Sequence, residues 1–109
     1  MSYKVTATDF FDREVKALAK KHRSLKSDLA RLGTLLQSDP RMGTSLGNDC
    51  YKIRMAITAK GQGKSGGARI ITHVFVSGAT VYMLAIYDKS EKETLSDKEI
   101  LKRVEKIPK

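Results

Sequence analysis

The sequence predicts a single α+β domain in which an N-terminal β-strand precedes a helical hairpin packed on one face of a small antiparallel sheet, in the order β-α-α-β-β-β-α. Three observations carry this expectation. Apolar residues recur at helical spacing from Phe11 to Leu36, the period falls to two after Cys50, and a capping signal at Ser96 opens a last, highly charged helix. A chain of 109 residues makes one domain, residues 1–109, which at this size buries roughly two-thirds of the surface of its unfolded chain.

Taken in order, Tyr3 to Ala7 is a short β-prone run, and Thr8 with Asp9 supplies a helix N-cap. Phe11, Val15, Leu18 and Ala19 form an apolar stripe, with Arg13, Lys16, Lys20 and Lys21 largely off it, so a helix is expected from Asp9 to about Arg23. Ser24 caps a second helix carrying Leu25, Leu29, Leu32, Leu35 and Leu36, a stripe that reads as core, and Asp39-Pro40 stops it. The segment Pro40 to Asp49 is rich in turn formers and reads as a loop. Tyr51, Ile53, Met55 and Ile57 then alternate with Lys52, Arg54, Ala56 and Thr58, a strand with one apolar and one basic face. Ala68 to Val76 and Val81 to Tyr87 are continuously apolar, as covered central strands are, and Ser77-Gly78-Ala79 joins them as a tight hairpin in which Gly78 takes the unusual backbone angle. Ser96 with Glu99 forms a capping box, followed by Ile100, Val104 and Ile107 on one helical face.

Composition narrows the function. With 21 Lys and Arg against 12 Asp and Glu, the formal charge of +9 suits a polyanionic partner such as nucleic acid or an acidic protein. The single cysteine, Cys50, excludes an internal disulfide framework, and with two separated histidines it makes no zinc spacing. No apolar run approaches the ~20 residues of a membrane span, and the first residues lack the hydrophobic stretch of a signal peptide. A protein of the reducing cytoplasm is expected, with no membrane partner and no metal.

The decapeptide KGQGKSGGAR, Lys60 to Arg69, has four glycines and three cations. Its Gly63-Lys64-Ser65 matches the end of a phosphate-binding P-loop, but Thr58 stands where the first glycine of that motif belongs and a strand follows where a helix should. A connection between two antiparallel strands explains the glycines better. In such a sheet the end of the Tyr51 strand, the start of the Ala68 strand and the end of the Val81 strand share one edge. Lys60, Lys64, Arg69, Tyr87, Lys89 and Lys92 are therefore expected to converge there, with Lys52, Arg54 and Asp88 adjacent, and Tyr87 offers a ring for stacking on a base.

The segments KIRMAITAKGQGKSGGARIITHVF and VYMLAIYDKSEKETLSDKEI resemble the RelE/ParE superfamily of bacterial toxins from type II toxin–antitoxin modules, close to its HigB-like branch, and the element order matches over nearly the whole chain. The resemblance implies a metal-independent, cofactor-free endoribonuclease that cuts messenger RNA in the ribosomal A site and is silenced by a cognate antitoxin. ParE relatives share the fold and poison DNA gyrase instead, and a catalytically degenerate nucleic-acid-binding module is a further alternative. Residue by residue, it makes Arg69 the strand arginine on the scissile phosphate and puts Lys89 where RelE-type toxins carry another phosphate-binding arginine. Lys60 and Lys64 fall where the family places basic residues. The aromatic expected near Thr94 or Leu95 is missing, and of the HigB-type histidine–aspartate set only Asp88 is present.

The chemistry has its own requirements. Metal-free RNA cleavage needs the 2′-hydroxyl deprotonated, the charge growing on the phosphorane stabilised, and the departing 5′-oxygen protonated. Arg69, Lys64 and Lys89 supply fixed cations for the second task. Lysines crowded by other cations lose a proton more readily, so Lys64 or Lys89 is a candidate base, with Tyr87 or Asp88 orienting the nucleotide or moving a proton. Lys52, Arg54, Lys60, Asp88 and Lys92 read as RNA contacts. His73, on the Arg69 side of its strand, reads as core, His22 as a cation at a helix C-terminus, and Cys50, with no basic neighbour in sequence, as an unreactive thiol.

Overall fold

A computed structural model describes residues 2–91 and 94–108. It comprises β1 (Lys4–Ala7), α1 (Asp9–Ala19), α2 (Leu25–Ser38), β2 (Thr44–Gly47), β3 (Cys50–Met55), β4 (Ala68–Phe75), β5 (Thr80–Asp88) and α3 (Asp97–Glu105). The strands form one five-stranded sheet in the order β1-β5-β4-β3-β2. All neighbours are antiparallel except β1, which runs parallel to β5, so the sheet is mixed. A parallel neighbour is possible because the whole helical hairpin and three further strands separate β1 from β5, far more chain than a crossover needs.

The helical hairpin forms as its periodicity demands. Thr8 caps α1 by accepting from the Phe11 amide at 3.3 Å, and its hydroxyl donates to the Met83 carbonyl at 2.8 Å, tying the helix start to β5. The helix stops at Ala19, earlier than the expected Arg23, where the Lys21 amide turns back to the carbonyl of Leu18, three residues before it, and tightens the last turn. Phe11, Leu18, Leu25, Leu32 and Leu36 pack on Ile53, Met55, Ile70, Val81, Met83 and Ile86 of the sheet. Each such side chain contributes roughly 2 kcal/mol on burial. Leu35 departs from the expected core stripe and is exposed.

The opposite face carries α3. Ser96 caps it, accepting from the Glu99 amide at 3.2 Å, while the Glu99 carboxylate accepts from Arg103 Nε at 3.0 Å. Ile100 and Ile107 pack with Cys50, Ile71, Leu84 and Ala85, and Val104 lies against them. Arg103 clamps the helix to the rest of the fold, donating to both Glu14 oxygens at 2.9 and 3.1 Å and to the Leu84 carbonyl at 2.9 Å.

Three local expectations change. The Pro40–Asp49 loop contains the edge strand β2, whose residues are all exposed; with neither face packed on a core, it carries no hydrophobic alternation to read in the sequence. The strand expected to run to Thr58 ends at Met55, and Thr58–Lys60 forms a 3₁₀ turn closed by Gly61 at φ 68°. In the β4–β5 hairpin the left-handed residue is Ala79, at φ 46°. Gly78 is needed for room instead, since a Cβ there would stand 2.6 Å from the Phe75 ring.

Candidate functional site

Cross-strand register builds the site. Arg54 of β3 pairs with Arg69 of β4, which pairs with Tyr87 of β5. One step along, Lys52 pairs with Ile71, and Ile71 with Ala85. Alternation puts Lys52, Arg54, Arg69 and Tyr87 on the α3 side of the sheet, but α3 packs only as far as Ile71 and Ala85. The Arg54–Arg69–Tyr87 row therefore lies just beyond the part that α3 covers, with Arg54 exposed and Arg69 and Tyr87 buried by other segments. A bulge makes the row possible: Ile71 pairs with Ala85 and Thr72 with Met83, leaving Leu84 as an extra residue. Without it, continuing the Thr72–Met83 register would put Ile86 opposite Arg69 and turn Tyr87 to the helices.

Arg69 is only 5% exposed, and its guanidinium is held by the glycine loop. Nη1 donates to the carbonyls of Lys64 at 2.9 Å and Ala68 at 3.2 Å, and Nη2 donates to Ser65 at 3.3 Å. Among the described residues nothing accepts from Nε or from the second Nη2 hydrogen. Nε and Nη2 share one edge of the guanidinium, the kind of fork that fits a phosphate, and Ser65 is the one acceptor on that edge among the described residues. Tyr87 beside it is 7% exposed, and its hydroxyl has no hydrogen-bond partner among the described residues. Buried hydroxyls are ordinarily satisfied by protein or ordered water; Thr72 Oγ1, on the helical face of β4, is another without a partner among the described residues. Lys64 and Lys89 are exposed at the rim, and the Lys89 amide donates to the Gly67 carbonyl at 3.0 Å. Arg54 is exposed and Lys52 half-buried.

Lys60 and Asp88 do not join this group. Asp88 points to the helical side, is 4% exposed, and accepts from Lys60 Nζ at 3.0 Å and from the Ser90 amide and hydroxyl at 2.9 and 2.8 Å. His22 Nε2 lies 3.0 Å from its other oxygen. Burial would raise the Asp88 pKa, but the bonds from Ser90, Lys60 and His22 outweigh it and hold the carboxyl well below the usual carboxylate range. The ammonium of Lys60, expected at the RNA-facing edge, is thus neutralised inside the fold. His22 is a partner of Asp88 rather than a free helix-end cation. Lys92 lies outside the described residues.

His73 shares the face of Arg69 but is buried, with Nδ1 3.6 Å from Cys50 Sγ, so the cysteine has a basic neighbour in space that it lacks in sequence. Leu95, near the expected aromatic position, packs half-buried against the α3 cluster. Among the described residues, no three His, Cys, Asp or Glu side chains converge as metal ligands would, and no helix is long and apolar enough to cross a membrane. The sequence reading missed the Asp28 hub. That buried carboxylate accepts from Ser24, Arg31 and both the amide and hydroxyl of Thr58, bracing α2 against the start of the glycine loop.

This architecture is that of the RelE toxins. The structure of a free E. coli RelE double mutant superposes with a TM-score of 0.64 at 19% identity, covering 99% of this chain and 100% of that one. The intact E. coli RelBE toxin–antitoxin complex matches at 0.61 and 19% identity over 80% of this chain and 96% of that one. The Mycobacterium tuberculosis complex RelBE2 matches at 0.53 and 16% over 81% and 99%. No family model and no curated protein sequence matches the chain. At these identities the likeness establishes the fold, and the function has to be argued from the site.

Proposed function

We propose that this chain is the toxin of a type II toxin–antitoxin pair, a metal-independent endoribonuclease that cuts messenger RNA on the ribosome in the bacterial cytoplasm. The observation that carries this reading is the Arg54–Arg69–Tyr87 row, placed beyond the reach of α3 and rimmed by Lys52, Lys64 and Lys89. The RelE fold, with two RelBE complexes among its structural neighbours, supports it.

The open edge of Arg69, Nε with Nη2, takes two oxygens of the scissile phosphate, and Lys89 and Lys64 add charge where the phosphorane becomes dianionic. The 2′-oxygen attacks phosphorus and the 5′-oxygen leaves, so a proton moves from the first to the second. The unpartnered Tyr87 hydroxyl stands beside Arg69 to bond one of these oxygens. Because Arg69 is nearly covered, the loop carbonyls of Lys64 and Ser65 shift when a phosphate reaches it, and the exposed glycine-rich segment gives the backbone that freedom. The ribosome contributes by holding the message in line. The +9 chain attracts an acidic antitoxin that masks this face.

Induction in a bacterium with mapping of message 5′ ends tests the reading. New ends within translated codons are expected, and they vanish with Arg69→Ala. Continued translation with intact messages overturns it, and a DNA-damage response in place of cleavage selects the gyrase-poison alternative.

A further inference from the structure

Around the β3 edge from the Arg54–Arg69 row lies a groove of about 280 Å³ between α2, the end of β3 and the glycine loop. It exists because β2 starts at Thr44, opposite Lys52, and leaves the edge of β3 beyond that point without a partner strand. Its apolar lining includes Met42, Ile53 and Met55, and its cations are Arg31, Arg54 and Lys64. The one acid there, Asp28, is 4% exposed and engaged by Ser24, Arg31 and Thr58, so it offers little repulsion to an incoming anion. Asp28 and the Thr58 hydroxyl hold Arg31 by Nη2, and among the described residues Nη1 and Nε have no acceptor on a side chain that is 64% exposed.

We propose that this groove seats a nucleotide neighbouring the cleaved bond, with its phosphate on Arg31 and its base on the Met42–Met55 floor. The proposal rests on the RNA-cleavage reading and adds to it a second, non-catalytic contact on the other side of the sheet edge. Continuity favours RNA as the occupant. Arg54 both pairs with Arg69 and lines the groove, and Lys64 lines the groove while its carbonyl accepts from Arg69. A strand bound at Arg69 thus passes over these two cations into the groove without leaving positive potential. The floor suits a base, since thioethers make favourable contacts with flat aromatic systems and tolerate any of the four.

Single-turnover cleavage on programmed ribosomes tests this, using one message of full length and versions truncated on either side of the cleaved bond. Arg31→Gln is expected to raise the half-saturating toxin concentration about five-fold on the full message with little change in the saturated rate, and to flatten the salt dependence by about 0.7 in logarithmic slope, the contribution of one single-strand phosphate. On the message truncated at the groove side the substitution adds nothing, because its partner is gone. Arg31→Lys restores part of the affinity, and thermal melting confirms that both variants fold. An unchanged half-saturation on every message, with Arg69→Ala still inactive, overturns the groove and leaves the ribonuclease reading standing. Absence of cleavage by the unaltered protein overturns both. Weakened binding of a synthetic oligoglutamate peptide with ribosome affinity unchanged also overturns the proposal, assigning the groove to an acidic partner protein.

Discussion

Lys60 Nζ donates to Asp88 Oδ1 at 3.0 Å, and the two side chains are 14% and 4% exposed. This bond, with those from His22 and Ser90, ties the start of the glycine loop and the turn carrying Lys89 to the joint between the first two helices. Asp88→Asn is therefore expected to destabilise the protein by roughly 3 kcal/mol near neutral pH, as breaking a buried ion pair does. The folded carboxyl is held below its unfolded value, so its stabilisation is fully present above about pH 4 and is lost as the pH falls further. Denaturant titrations at several pH values check this: the gap between parent and variant narrows only on the acid side.

Arg69 and the glycine loop support each other through the Lys64 and Ser65 carbonyls. Arg69→Ala is expected to lower cleavage by about 10²–10³-fold, the effect of removing one fixed donor from a developing anion. Arg69→Lys does not rescue it, because an ammonium cannot satisfy two loop carbonyls and still present a flat fork. Hydrogen exchange on residues 61–67 reports the loop-holding role, speeding up in both variants.

The Tyr87 hydroxyl is buried without a partner among the described residues. Tyr87→Phe removes an unsatisfied group, so the variant is expected to be as stable as the parent or up to about 1 kcal/mol more so. Cleavage falls all the same if the hydroxyl meets a substrate oxygen. Melting curves and single-turnover rates on one preparation give both answers, and an unchanged rate removes Tyr87 from the mechanism.

Gly67 closes the loop against β3. A Cβ at this position would stand 2.1 Å from the Met55 carbonyl oxygen and 2.9 Å from the Ala56 Cα, both backbone atoms that side-chain motion cannot clear. Gly67→Ala is expected to cost roughly 3 kcal/mol, at the severe end for a single substitution. Gly63→Ala meets no neighbouring atom within 4 Å and strains only its positive φ of 65°, so it costs about 1 kcal/mol. Differential scanning calorimetry on the two variants ranks them.

Lys64 and Lys89 are exposed at the rim of the row. Each alanine substitution is expected to reduce cleavage by about ten-fold and to leave stability within about 0.5 kcal/mol of the parent, since neither ammonium is built into the packing. Lys60→Ala, in contrast, lowers stability by exposing the Asp88 site and affects cleavage only through the position of the loop. The three rates, measured beside three melting temperatures, distinguish a rim cation from a structural one.

The sequence by itself determined the three helices, the strands other than β2, and which strand ends meet beside Arg69. Periods of 3.6 and two, with caps at Thr8 and Ser96, are local properties, and antiparallel neighbours joined by short connections have little freedom in which ends meet. The convergence of Arg54, Arg69 and Tyr87 at one edge followed from them. Other features belong to the tertiary structure alone. β2 carries no alternation and exists only as the neighbour of β3. The bulge at Leu84 decides that Tyr87, and not Ile86, stands opposite Arg69, and the continuous apolar run of β5 gives no sign of where such a slip occurs. Asp88 is paired with Lys60 and lies against His22, which are 28 and 66 residues away in the chain, so whether each of these side chains serves as a ligand or as a brace is settled by packing between distant segments.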